Sequence, residues 1–237
     1  MARLTRITPS GVPIHVIQRG NNRQVIFAEE ADFKAYLAWL KEYSEKHNVQ
    51  VYAWCLMTNH VHLLCAGMVD EEGIGKMMQS LGRQYVRYFN QKYNRTGTLW
   101  EGRFKSCLVE ADNYLFELYR YIELNPVRAK MVEDPAEYIW SSYQINALER
   151  KSELLTPHPL YLQLGKSAAE RKQNYRKLFE DALRETVLEE IRQAVNRGMA
   201  VGSDRFKEEI EALTGRRLKE NKRGRPVGWR KLDNRKI

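Results

Sequence analysis

Two histidines with one apolar residue between them, His60-Val61-His62, lie within the run Thr58-Asn59-His60-Val61-His62-Leu63-Leu64. In an extended chain successive side chains alternate faces, so both imidazoles project on one side, roughly 6.5–7 Å apart, while Val61 takes the other. Such a pair can ligate one metal ion; it can equally be a hydrogen-bonded pair on a half-buried face. Further along, residues 112–125 read as a helix that ends at Pro126 and holds Tyr114, Tyr119 and Tyr121. The i, i+4 spacing puts Tyr121 and Asn125 on one helical face, with Tyr114 two turns earlier on the same side and Tyr119 turned toward core or surface. A tyrosine hydroxyl, with an ordinary pKa of about 10, is a poor nucleophile until it is aimed and activated. A metal that holds a target phosphate supplies the electrophilic half of that task.

The site expected from this spacing is His60, His62 and Asn125 around one divalent ion, with Tyr121 one turn away. Two nitrogens and one amide oxygen leave positions open for phosphate and water, which suits Mg²⁺ or Mn²⁺ better than a closed zinc site. Zinc would want a thiolate, and counting along a single strand from His60 puts Cys55 and Cys65 on the opposite face. Asn125 precedes Pro126, which disfavours the helical region, so the register is expected to loosen there.

The positioning elements can be read from periodicity. Residues 12–19 alternate as a first strand, with Ile14 and Val16 on one face and His15 and Ile17 on the other, and Gly20-Asn21-Asn22 signals a turn. Residues 29–47 form an amphipathic helix with acids at its start and Lys46 and His47 at its end. Residues 49–64 read as one long central strand carrying the histidines. In the helix expected over 77–93, Arg83, Tyr85, Arg87, Tyr88, Lys92 and Tyr93 interleave, a pattern that can stack bases and pair phosphates or simply build core. Residues 97–106 read as a turn and a strand with Arg103 and Lys105 on one face. Beyond a first domain closing near residue 145 come a connector over 154–164, a helix over 168–196 broken at Gly198, and a short helix over 203–213 stopped at Gly215.

A chain of 237 residues, 43% of them hydrophobic, can build one large domain or a domain with an appendage. Three cysteines without paired spacing point to free thiols in a reducing interior. No stretch approaches the roughly 20 apolar residues of a membrane span, and no apolar signal region follows the N-terminal charge; a cytoplasmic, nucleoid-associated protein is expected. The net charge of +9 is concentrated at one end. Residues 216–237 hold ten Lys or Arg against Glu220 and Asp233, leaving 29 basic and 28 acidic residues in the rest. A nearly balanced body with a basic tail is the pattern of a chain that holds a polyanion with its end.

Four motifs occur in order: Gln18-Arg19-Gly20-Asn21-Asn22, His60-Val61-His62, Leu99-Trp100-Glu101-Gly102-Arg103-Phe104-Lys105, and Tyr119-Arg120-Tyr121-Ile122-Glu123-Leu124-Asn125-Pro126-Val127-Arg128-Ala129. Together, over about residues 5–145, they resemble the REP-associated tyrosine transposases, which are single-tyrosine HUH nucleases (U being any hydrophobic residue, here Val61). The resemblance implies an α+β fold with a ferredoxin-like (RRM-like) core and a central antiparallel sheet, the domain over 1–150; the helical region over 151–215 and the basic, disordered DNA-binding tail over 216–237 are expected from helical periodicity and charge alone. It implies cleavage and rejoining of single-stranded DNA through a 5′-phosphotyrosine link at Tyr121. It further implies a metal held by His60, His62 and Asn125, and folded single-stranded hairpins, as in repetitive extragenic palindromes (REP), as partners. Arg19, Asn21, Asn22, Arg83, Arg87, Arg103 and Lys105 are the DNA-contacting residues expected on the body of a monomer or homodimer.

In the tail, Lys222-Arg223-Gly224-Arg225-Pro226 contains an Arg-Gly-Arg-Pro core whose Arg223 and Arg225 can reach into the minor groove of A·T-rich duplex DNA. Two other readings stand beside the nuclease. One is a domesticated protein that binds hairpins without cutting, against which the intact His60, His62, Tyr121 and Asn125 set argues. The other is a relaxase or replication-initiator nickase sharing the chemistry, although the chain holds no helicase P-loop.

Overall fold

The computed structural model describes Arg6, residues 8–215, Arg217 and Leu218. Its first elements run β1 (Ile14–Arg19), α1 (Glu30–Lys46), β2 (Val49–Met57), β3 (His60–Gly67), α2 (Gly73–Lys92), β4 (Lys105–Val109). The order β-α-β-β-α-β builds a sheet with β3 between β1 and β2 and β4 on the far side of β1, all antiparallel. A short strand β5 (Ala200–Val201) adds in parallel to β4, making a mixed five-stranded sheet. The α+β class expected from the sequence is the one observed.

Strand alternation gives the sheet two different faces. Ile14, Val16, Val61, Leu63 and Cys65 face one way and are covered by α1 and α2 through Tyr36, Leu40, Met77, Leu81 and Tyr85, with Phe27 of the preceding loop beside them. These helices form because their apolar residues recur at three and four and fill one stripe. Asp32 ties them together. Its buried carboxylate accepts from the Ala28 and Glu29 amides (2.8 and 3.1 Å), Tyr88 and Tyr93 hydroxyls (2.9 and 2.8 Å) and Lys92 Nζ (2.6 Å). Burial works against its charge, but the hydrogen bonds led by Lys92 hold its pKa below the usual value. Tyr85, Tyr88, Lys92 and Tyr93 are thus spent on packing and on Asp32, so of the interleaved α2 residues Arg83 and Arg87 remain for a ligand.

The opposite face carries His15, Cys55, His62, Leu64 and Cys107. It is covered by α3 (Ala111–Glu123) through Leu118, Tyr119, Tyr121 and Ile122, and by α8 (Glu185–Arg197) through Val187, Leu188 and Ile191. Between them come α4 (Asn125–Arg128), α5 (Tyr143–Asn146), α6 (Pro159–Leu162) and α7 (Ala168–Lys177); α9 (Asp204–Thr214) follows β5. Ser203 caps α9, accepting from Phe206 N at 3.2 Å, and Gly198 and Gly215 end α8 and α9 in the left-handed region.

Several expected boundaries are corrected. Residues 49–64 are not one strand: the chain reverses at Thr58-Asn59, and Met57 pairs with His60 across a tight hairpin. Both turn residues look compatible with an apolar run, yet they spend their backbone groups outside the ladder: the Thr58 carbonyl accepts from Ile26 and Phe27, and Asn59 O from Gly20. The reversal resets the parity count, so Cys55 sits directly opposite His62 and shares its face, while Cys65 is on the other. Residues 97–104 form a loop rather than strand, pinned where Trp100 bridges Gly20 and its indole donates to Gly82 O (3.3 Å). Helix α2 starts at Gly73, earlier than its glycines suggest. The helix expected over 168–196 is two, α7 and α8, separated by a turn that packs Phe179 and Leu183 into the second core. Arg223 and Arg225 lie outside the described residues.

Candidate functional site

β3 presents His60 half-buried at its first position and His62 buried two residues on, with ring centroids 4.9 Å apart. Each ring has its Nδ1 occupied. His60 Nδ1 donates to Asn59 Oδ1 (2.6 Å), and Asn59 is itself oriented by donating its amide to Arg23 O (3.2 Å). His62 Nδ1 shares a hydrogen bond with Nε2 of His15 (2.9 Å), whose ring stacks on it at 5.2 Å. Nε2 is left as the ligand position of each histidine, the arrangement in which an outer hydrogen bond fixes tautomer and ring orientation. Burial, with Arg19 second, pushes the His60 pKa down to about 4. Burial first, then the adjacent His60 and His15 rings, Arg128 and Arg19 push His62 well below its ordinary value, and burial with Arg128 brings His15 to about 3. All three are neutral at neutral pH, the state a metal ligand must have.

α3 brings Tyr121 onto this face. Its ring packs edge-on to His62 (5.8 Å) and His15 (5.5 Å). Burial raises the Tyr121 pKa; Arg128 and then Arg192, which hydrogen-bonds the hydroxyl, oppose that rise. Tyr119 is core, against Tyr175, and the Tyr114 hydroxyl donates to Glu190 (3.3 Å), so neither competes for the histidine face. Helix α3 ends at Glu123, as the following Pro126 requires, and Asn125 opens the separate turn α4. Asn125 Nδ2 donates to Tyr121 O (3.0 Å) and Ile122 O (3.2 Å), an orientation that leaves its Oδ1 as the outward acceptor.

The donor set fits a hard divalent cation. Two neutral imidazoles offer Nε2, and Asn125 has an oxygen to give. Among the described residues no trio of His, Cys, Asp or Glu is arranged to hold a metal. Cys55 shares the face, but burial drives its thiol pKa well up and its Sγ lies 3.6 Å from Met57 Sδ, so it offers no thiolate for zinc.

Behind Tyr121, Glu123 is fully buried and accepts from Ser142 Oγ (2.5 Å), Tyr175 Oη (2.7 Å) and Asn146 Nδ2 (2.9 Å). It ties the end of α3 to α5 and α7. Burial raises its pKa to about 7 despite these three donors.

Residues 9–125, which contain the whole βαββαβ sheet scaffold, the histidine pair and Tyr121, match the family model described as transposase IS200-like. Over 113 residues the chain is 28% identical to a Haemophilus influenzae protein bearing the name REP-associated tyrosine transposase, covering 44% of this chain and 64% of that relative's length. A solved structure of a REP-associated tyrosine transposase bound to a REP hairpin superposes with a TM-score of 0.50 at 16% identity. It covers 67% of this chain and 96% of that one, and shows the shared fold.

Around this histidine face the expected DNA-contacting residues separate into groups. Arg19, Arg103 and Lys105 line a cavity of about 560 Å³ beside β4, with Lys105 Nζ donating to Asn196 Oδ1 (2.9 Å). Arg83, Arg87 and Arg103 line a second cavity of about 820 Å³ with Trp100 along α2. Arg103, Phe104 and Arg6 border both, and the Arg6 guanidinium stacks 3.7 Å over the Phe104 ring. Asn21 and Asn22 are exposed in the turn after β1 and line neither. Residue spacing alone does not reveal His15, Asn59 or Arg128 as part of this face. His15 was legible only as a face of β1; that β1 pairs with β3, and so places His15 against His62, is a long-range fact.

Proposed function

We propose that the chain is a metal-dependent single-stranded DNA endonuclease and strand transferase that acts on REP-like hairpin DNA through a covalent 5′-phosphotyrosine at Tyr121. The observation that supports this reading is the packing of the Tyr121 ring against His62, a tyrosine and two neutral imidazoles sharing one sheet face. In the reaction, the Tyr121 hydroxyl loses its proton and its oxygen bonds to the scissile phosphorus. The bond from phosphorus to the 3′ oxygen breaks, and that oxygen leaves as a 3′-hydroxyl after taking up a proton. The new ester keeps the energy of the phosphodiester, so attack by another 3′-hydroxyl reverses the step without a nucleotide cofactor.

His60, His62 and the Asn125 amide oxygen are the residues that would hold Mg²⁺ or Mn²⁺, which when bound polarises the phosphate and neutralises its charge. The protein's own part is to keep both imidazoles neutral by burial, to fix them through Asn59 and His15, and to hold the tyrosine ring in place by packing. The relative's hairpin-bound state and the arginine-lined cavities beside β4 and α2 support a hairpin as substrate. Among the described residues no helix is long and apolar enough to cross a membrane.

The test is a denaturing gel for a protein–DNA adduct with Mn²⁺ and a single-stranded hairpin oligonucleotide. Wild-type protein should form the adduct and Tyr121→Phe should form none while still binding the oligonucleotide. An undiminished adduct in Tyr121→Phe would point to Tyr114 or Tyr119, and binding without any adduct in the wild type would favour a non-cleaving hairpin binder.

A further inference from the structure

Arg128 is a cation placed inside the site with one guanidinium nitrogen unspent. It lies on α4, one turn past Asn125, where its guanidinium carbon sits 4.6 Å above the Tyr121 ring. Its Nη2 donates to the Tyr121 carbonyl at 2.5 Å, capping the end of α3. Its Nη1 is buried and has no hydrogen-bond partner. A buried guanidinium N–H without an acceptor carries a desolvation cost that a purely capping arginine would avoid by turning that nitrogen to water. The charge is felt across the site: Arg128 lowers the pKa values of His15 and His62 and opposes the burial-driven rise at Tyr121 and Cys55. It therefore lies where an anion brought to Tyr121 would meet it.

We infer that Arg128 is a further catalytic residue, its free Nη1 donating to a non-bridging oxygen of the phosphodiester that Tyr121 attacks. One face of the guanidinium holds the nucleophile's ring and one nitrogen holds its backbone, so the remaining nitrogen fixes the phosphate relative to the tyrosine. Arginine suits this because its planar fork presents several donors in fixed directions, where lysine offers a single mobile point charge. This assignment rests on the nuclease reading, since it names the phosphate of that same reaction.

The experiment compares two hairpin oligonucleotides, one natural and one with a neutral methylphosphonate at the linkage the wild-type protein cuts. Binding is read by fluorescence anisotropy in the non-cleaving Tyr121→Phe protein, with chelator present so that no divalent ion contributes. The methylphosphonate should bind about tenfold or more weakly than the natural linkage, as expected for a lost charge-assisted hydrogen bond. Adding Arg128→Gln should make the two oligonucleotides bind alike. Arg128→Lys, which keeps the charge and a donor, should retain part of the discrimination, and serves alone if Arg128→Gln does not fold by thermal melting. Undiminished discrimination in a folded Arg128→Gln protein, or in Arg128→Lys when it is the only folded variant, overturns the assignment and leaves the nuclease intact. Absence of any adduct in the wild type overturns both.

Discussion

The two faces of the sheet bury similar amounts of structure for different ends. On the α1/α2 face, aromatic rings stack and cross (Phe27 on Phe33 at 4.5 Å, Tyr36 on Tyr85 at 5.1 Å). Its one buried carboxylate, Asp32, is satisfied by five donors and kept ionised. On the α3/α8 face three neutral histidines, a tyrosine, an arginine and a carboxyl group held near protonation sit among aliphatic residues. His15 Nδ1, Arg120 Nε and Arg128 Nη1 there have no partner, and neither do Gln18 Oε1, Tyr36 Oη and Asn90 Oδ1 on the α1/α2 side, so the faces differ in the charge they gather and not in the number of unsatisfied atoms. One face encloses a single, fully bonded charge in an aromatic core, whereas the other gathers titratable and cationic side chains around the histidines, where the proposed chemistry would occur. Strand alternation allows the division, because Val61 and His62 are adjacent in sequence yet belong to different halves of the molecule.

The largest effect that should separate the faces is on stability. Tyr85→Ala, which empties the centre of the aromatic cluster, should cost about 3–5 kcal/mol in urea unfolding, in the range of large aromatic truncations. Tyr121→Phe, which keeps the ring, should cost less than about 1 kcal/mol while removing the adduct. Comparable losses would break the distinction.

The second effect concerns pH. The folded-state pKa of Glu123 is raised to about 7 from an ordinary 4.5, so between these values the folded protein binds more protons than the unfolded chain. Its stability should therefore be greatest at the acidic end of that window and fall as pH rises through about 7, by up to roughly 3 kcal/mol from this group. Glu123→Gln, which keeps an acceptor for Ser142 or Tyr175, should flatten that slope in urea titrations across the window. Asp32, whose pKa is lowered, acts in the opposite sense, losing its contribution as pH falls below the usual carboxylate range.

A smaller effect sharpens the role of His15. His15→Leu should weaken Mn²⁺ binding about tenfold, within the 10–100-fold typical of lost outer-shell partners, read by electron paramagnetic resonance of free Mn²⁺. His15→Gln, which restores an acceptor, should recover part of it; equal affinity in His15→Leu would reduce His15 to packing. The smallest effect is expected from the α2 groove. Arg83→Ala and Arg87→Ala should each weaken hairpin binding and lower the salt slope by about one, without changing the site of cleavage.

The sequence made local geometry legible and left long-range geometry hidden. His60 and His62 on one side of a strand, the helix carrying Tyr121, the loosened register before Pro126, and the caps at Ser203, Gly198 and Gly215 all follow from spacing within a few residues, and the structure has them. The hairpin at Thr58-Asn59 was hidden because neither residue is a glycine or proline and both flanks are apolar. That hidden turn also misplaced Cys55, since one reversal inverts a parity count. His15 and Arg128 escaped for a related reason. Each meets Tyr121 or His62 only through strand pairing or the close of α3, which no local period encodes.

The most direct measurement is mass-spectrometric mapping of the covalent adduct formed with Mn²⁺ and a hairpin oligonucleotide. A single nucleotide-bearing peptide is expected, modified at Tyr121 through a 5′-phosphate, with a free 3′-hydroxyl on the released strand. Attachment at Tyr114 or Tyr119, or a 3′-phosphate link, would contradict it.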